Sequence, residues 1–97
     1  MEQNTLQLSG FNAVERLDAT VAETKFADKF KRHTGSFDEL QVTKKDVHAQ
    51  GVHAALEVNA SLAVGGKHYH GHAEGHSLKE VLDGALGAIE VATARKA

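Results

Sequence analysis

Apolar and polar residues alternate in four short segments of the chain, and this period of two predicts four β-strands. The first strand is expected at residues 6–9 and the second at 40–47. The third, 56–64, and the fourth, 67–74, are separated only by Gly65 and Gly66. Two consecutive glycines between alternating segments are typical of a tight hairpin turn.

Two further segments repeat apolar residues every three or four positions, as amphipathic helices do. The first is expected to begin near Ala13, because Asn12 and Glu15 have the spacing of a capping box, and to end before Gly35. The second is expected over 77–92, with Ser77 and Glu80 in the same relation. The residues of the first helix expected to face the core are Val14, Leu17, Val21, Ala22, Phe26 and Phe30.

The element order is therefore β-α-β-β-β-α, an α+β fold in which two helices pack on one face of a four-stranded sheet. Strands joined by short connections become antiparallel neighbours, which applies to the second, third and fourth strands. The first strand reaches the second through a helix, so a parallel pairing is possible for it. The 97 residues form one domain.

Composition narrows the class of protein. Apolar residues make up 41% and charged residues 25%, which is ordinary for a globular domain. The chain has no cysteine, which excludes disulfides and thiolate metal sites. It lacks an apolar run of the ~20 residues that a membrane span needs, and its first residues do not resemble a secretory signal. We therefore expect a cytoplasmic protein without a membrane partner.

Charge is unevenly distributed, although the net value is only −2 with neutral histidines. Residues 25–45 contain six basic and three acidic residues, for a net of +3, whereas residues 1–24 have a net of −3. This basic segment is either a solvated surface or a phosphate-binding one.

Several local strings resemble the ribosome hibernation-promoting factor family, also called the sigma-54 modulation or ribosome-associated inhibitor family. The best match is Ala73-Glu74-Gly75, followed by a capped helix start at Ser77-Leu78 and then by Val81-Leu82-Asp83-Gly84. Lys25-Phe26-Ala27 and Leu6-Gln7-Leu8-Ser9-Gly10 are similar to strings in the family's first helix and first strand. As a pattern, the resemblance covers nearly the whole chain.

The resemblance implies a non-enzymatic protein that binds the small ribosomal subunit and its rRNA. Family members occupy the channel used by mRNA and tRNA and silence translation in stationary phase or stress. The chain matches the family's short form, so we expect a monomer that uses no cofactor and binds no DNA.

Phosphate neutralisation would be the role of the basic side chains on such a surface. The candidate RNA contacts are Lys25, Lys29, Lys31, Arg32, Lys44, Lys45, Lys79, Arg95 and Lys96. The second helix departs from the family, in which it is usually rich in lysine and arginine. In this chain the second helix contains one lysine, Lys79, and three acidic residues, Glu80, Asp83 and Glu90.

The chain contains seven histidines, and they indicate the main alternative to an RNA-binding function. His68, His70 and His72 share one face of the fourth strand, and His76 follows in the turn, so a His-rich metal-binding module or metalloenzyme is the rival function. The same side chains could instead contact RNA and become charged on acidification, or simply form a polar sheet face.

Two other classes fit parts of the pattern. A double-stranded-RNA-binding domain has a related element order, but the basic cluster that opens its last helix is missing, since Ser77-Leu78-Lys79-Glu80 stands there. A protein-interaction domain that uses the open face of the sheet is the other alternative.

Overall fold

A computed structural model describes residues 5–47 and 55–94 of the chain. The elements are β1 (Thr5–Ser9), α1 (Ala13–His33), β2 (Glu39–Val47), β3 (Ala55–Val64), β4 (Lys67–Gly75) and α2 (Leu78–Ala94). The strands form one sheet in the order β1-β2-β3-β4. β1 runs parallel to β2, and the other two pairings are antiparallel. The predicted α+β fold and its order of elements are thus confirmed.

Local signals define the two ends of α1 and the turn between β3 and β4 as expected. Both hydrogen bonds of the capping box at Asn12 and Glu15 are present. Past the C-terminus of α1, Gly35 has a φ of 123° and donates its N–H to the carbonyl of Phe30. Gly65 and Gly66 both have positive φ, the conformation that a two-residue hairpin turn requires.

Both helices cover the same face of the sheet, and the core lies between them and the strands. The buried apolar residues of β2 and β3 alternate along each strand as predicted. They are Leu40, Val42, Val58, Ala60 and Leu62. Phe26, Phe30 and Phe37 form a buried aromatic cluster in which successive ring centroids are 6.0 Å apart. The helices contribute mainly small and branched side chains to the rest of the core.

The prediction for the core face of α1 is wrong in its N-terminal half. Val14, Leu17 and Val21 are 74%, 70% and 53% exposed. At 3.6 residues per turn, they lie on the side of the helix opposite Phe26 and Phe30. The buried row of α1 consists of Ala19, Glu23, Phe26, Ala27 and Phe30.

α2 approaches β4 closely because a glycine lies beneath it. A Cβ atom at Gly71 would be 2.0 Å from the carbonyl oxygen of Ala85. On the helix itself, a Cβ at Gly84 would be 3.0 Å from the Cβ of Ala73, whereas one at Gly87 would meet nothing within 4 Å. Of these two helix glycines, Gly84 is therefore the one that lies close to the sheet.

Candidate functional site

The C-terminal half of α1 carries four of the predicted RNA contacts, which we call the α1 cation cluster: Lys25, Lys29, Lys31 and Arg32. All four are exposed. Lys25 and Arg32 lie seven residues apart, so they share one row of the helix surface at a separation of about 10 Å along its axis. Lys29 donates to Oε2 of Glu90 on α2 at 3.0 Å, and Asp28 is the acidic residue within the cluster.

Of the other predicted RNA contacts, three are described, and Lys44, Lys45 and Lys79 lie outside this cluster. Lys44 is 8% exposed and points to the helix side of the sheet, where its ammonium lies 2.6 Å from Oε2 of Glu15. Lys44, predicted as an RNA contact, therefore does not belong to the candidate interface. Lys45 is exposed on the other face of the sheet, and Lys79 is exposed on the first turn of α2. Arg95 and Lys96 lie outside the described residues.

The alternation of buried and exposed residues along β2 predicts that Lys44 is buried. Leu40 and Val42 face the core, and a strand places every second residue on the same side. Lys44 is therefore in phase with them, and Lys45 is not. The partner of Lys44 could not be found from the strand alone, because Glu15 reaches it from the first turn of α1.

A cavity of about 630 Å³ lies at the end of α1, next to the cation cluster. Its apolar lining includes Phe26, Phe30, Val64 and Tyr69, and Lys29, His33 and Glu90 are among its polar residues. The cavity joins α1, α2 and the β3–β4 hairpin, so residues distant in sequence form it. The sequence predicts two of its aromatic residues, Phe26 and Phe30, only as core residues.

The face of the sheet that the helices leave open is polar. His68, His70 and His72 lie on it and are exposed, as the alternation in β4 predicted. Their register partners on β3 are Ala63, Ser61 and Asn59. His76 lies in the bend after β4.

One group on this open face brings together side chains that could bind a metal, and it differs from the predicted row of histidines. Glu57, His72 and Glu74 each offer one ligand atom, and these atoms lie within 4.8 Å of one another. Nε2 of His72 is 2.9 Å from Oε2 of Glu57 and 3.9 Å from Oε1 of Glu74. Among the described residues, this group is the one arrangement of its kind, and His68, His70 and His76 are not part of it.

Glu23 is a buried acid on the core face of α1. It is 3% exposed, and its Oε2 makes no hydrogen bond within the described part of the chain. Burial raises the pKa of Glu23 to about 7, although a hydrogen bond from the backbone of Gln7 opposes the effect. The carboxyl group of Glu23 lies away from both the α1 cation cluster and the open face of the sheet. Its burial therefore affects the stability of the fold.

No protein-family model matches the sequence, and no curated protein matches it either. Neither helix of the described chain combines the length and apolarity needed to cross a lipid bilayer.

Proposed function

We propose that the protein is a non-enzymatic, cytoplasmic inhibitor of translation that binds the rRNA of the small ribosomal subunit through α1. The observation that carries this proposal is the α1 cation cluster, where four exposed cations and one acid lie along eight residues of one helix. The sequence resemblance and the β-α-β-β-β-α order support the same function.

The charges of the two helices indicate which of them faces the RNA. α2 carries Lys79 against Glu80, Asp83 and Glu90, a net of −2. Phosphates would be repelled by this surface and attracted by the C-terminal half of α1. We infer that α1 lies against rRNA and that α2 is turned away from it. Lys79 is therefore a secondary contact.

Contacts between lysine or arginine and phosphate position a protein without reading base sequence. Specificity for the small subunit would then come from the shape of folded rRNA that the rigid sheet and helices fit. A protein held in the mRNA and tRNA channel blocks translation by occupying it. No bond is made or broken, so the function needs neither a nucleophile nor a cofactor.

Charge reversal on α1 tests the proposal. The double variant Lys25→Glu, Arg32→Glu changes the two members of the α1 cation cluster that share one row of the helix surface, and it leaves the ion pair of Lys29 with Glu90 in place. The matched control is Arg16→Glu, Lys67→Glu, which reverses two exposed cations outside every candidate contact set. Both variants change the net charge by the same amount.

The affinity of each variant for purified small subunits is measured at fixed salt. We expect the α1 variant to lose at least about tenfold, since each lost phosphate contact lowers the salt-dependent part of the affinity. The control should change less. Equal losses in the two variants, or an unchanged affinity in the α1 variant, would overturn the assignment of α1 as the interface.

A further inference from the structure

The register of β3 and β4 places two carboxylates opposite each other on the open face of the sheet. Glu57 pairs with Glu74, and the adjacent pair on the same face is Asn59 with His72. Like charges directly opposite each other destabilise an antiparallel pair. Lys45 is the register partner of Glu57 on β2 and supplies one positive charge on that side. With a neutral imidazole, the group therefore keeps one net negative charge.

The three side chains converge on one point. Nε2 of His72 lies 2.9 Å from Glu57 and 3.9 Å from Glu74, and all three ligand atoms are within 4.8 Å of one another. Two donors that each lie about 2.1 Å from one ion can be at most about 4.2 Å apart. A small movement of Glu74, whose side chain is 56% exposed, closes the remaining gap.

The surroundings of the group support a bound ion. The carboxamide nitrogen of Asn59 lies 3.4 Å from Oε2 of Glu57, a contact that orients the carboxylate from outside the ligand set. A cavity of about 210 Å³ adjoins His72 on the open face and is lined by polar side chains that include Thr43, Ser61 and His70. It has room for water molecules that would complete the coordination.

We propose that Glu57, His72 and Glu74 form a binding site for a divalent first-row transition metal, with Zn²⁺ as the probe ion. One imidazole nitrogen and two carboxylate oxygens are donors that Zn²⁺ accepts, and three protein ligands leave a position open to water. The ion neutralises the opposed carboxylates and joins β3 to β4. The site lies on the face away from the helices, so it does not depend on ribosome binding through α1.

Calorimetric titration of the untagged 97-residue chain with Zn²⁺ at pH 7.5 tests the site. We expect one ion to bind per chain. Glu57→Gln and His72→Ala should each weaken this binding at least about tenfold, because each removes one of three ligands. His68→Ala is the matched control: His68 is exposed on the same strand face, lies opposite Ala63, and belongs to no ligand group within residues 5–47 and 55–94. It should leave the affinity within about twofold.

Circular dichroism of each variant establishes that it is folded, and Glu74→Gln, at an exposed position, provides a further loss-of-ligand variant. The histidine signals in NMR spectra give an independent readout, in which Zn²⁺ should shift the His72 imidazole before that of His68. Three results would each overturn the proposal: no stoichiometric binding by the unmodified protein, binding that survives His72→Ala, or an equal loss in His68→Ala.

Discussion

The ammonium of Lys44 lies 2.6 Å from Oε2 of Glu15, and this contact ties the middle of β2 to the first turn of α1. The other carboxylate oxygen of Glu15 accepts the backbone N–H of Asn12 at 2.9 Å. One side chain therefore closes the capping box and binds the strand below it. These contacts hold the pKa of Glu15 below its ordinary value, and the hydrogen bond from Asn12 has the larger effect.

Glu15→Gln should destabilise the fold by about 1 to 3 kcal/mol, because the buried ammonium of Lys44 loses its carboxylate. Glutamine can still complete the capping box, so the change isolates the contact with the strand. Lys44→Met, which removes the buried charge itself, should cost less than Glu15→Gln. Urea unfolding of both variants measures the two costs, and the reverse order would contradict this account of the pair.

Glu23 should make the fold less stable as the pH rises. Its pKa is about 7 in the folded chain and 4.5 ordinarily, so the folded state binds more protons between these values. The free energy of unfolding therefore falls as the pH rises from about 4.5 to about 7, by roughly 3 kcal/mol for this group. Glu23→Gln should abolish that part of the slope and be the more stable protein at pH 8.

Urea unfolding at pH 5 and pH 8 checks this expectation. Glu80→Gln is the control, because Glu80 is an exposed acid on the first turn of α2. It should leave the slope with pH almost unchanged. An unchanged slope in Glu23→Gln would show that the burial of this carboxyl group does not govern the pH dependence.

Two glycine substitutions should have opposite effects on stability. Gly71→Ala forces α2 away from β4, because its Cβ would be 2.0 Å from the backbone of Ala85, and a loss of several kcal/mol or failure to fold is expected. Gly87→Ala meets nothing within 4 Å and should stabilise the helix by up to about 1 kcal/mol. Thermal unfolding compares the two, and a tolerated Gly71→Ala would contradict the close approach of α2.

The exposed side of α1 should tolerate polar substitution. Leu17→Ser removes a side chain that is 70% exposed, and we expect it to cost less than about 1 kcal/mol. Phe30→Ala removes a side chain that is 6% exposed and belongs to the aromatic cluster, and about 3 to 5 kcal/mol is expected. Comparable losses on chemical unfolding would show that Leu17 is buried in solution.

Strand alternation and local turn chemistry were sufficient to predict the sheet. The faces of β3 and β4, the hairpin glycines and the capping box at Asn12 follow from neighbours in sequence. The core face of α1 could not be predicted from neighbours in sequence, because Val14, Leu17 and Val21 have the same helical spacing as a buried row. The competing row contains Glu23 and small alanines, which lowered its apparent hydrophobicity, but it also contains both phenylalanines of the helix.

The candidate sites were harder to predict because they depend on contacts between strands. Alternation placed His72 on the open face, but only the register of β3 against β4 brings Glu57 and Glu74 to it. The cation cluster on α1 needed no such information, since one helix carries all of it. The net charge of residues 25–45 predicts Lys44 on the basic surface, whereas its phase in β2 places it with the buried residues.

Co-sedimentation of the purified protein with small ribosomal subunits tests the central claim most directly. It is done at about 50 mM and about 200 mM salt, a range over which binding driven by phosphate contacts weakens sharply, with and without mRNA and tRNA. We predict binding at the lower salt that is weaker at the higher salt and reduced by mRNA or tRNA. Absence of binding at both salt concentrations, or binding that mRNA and tRNA leave unchanged, would contradict the claim.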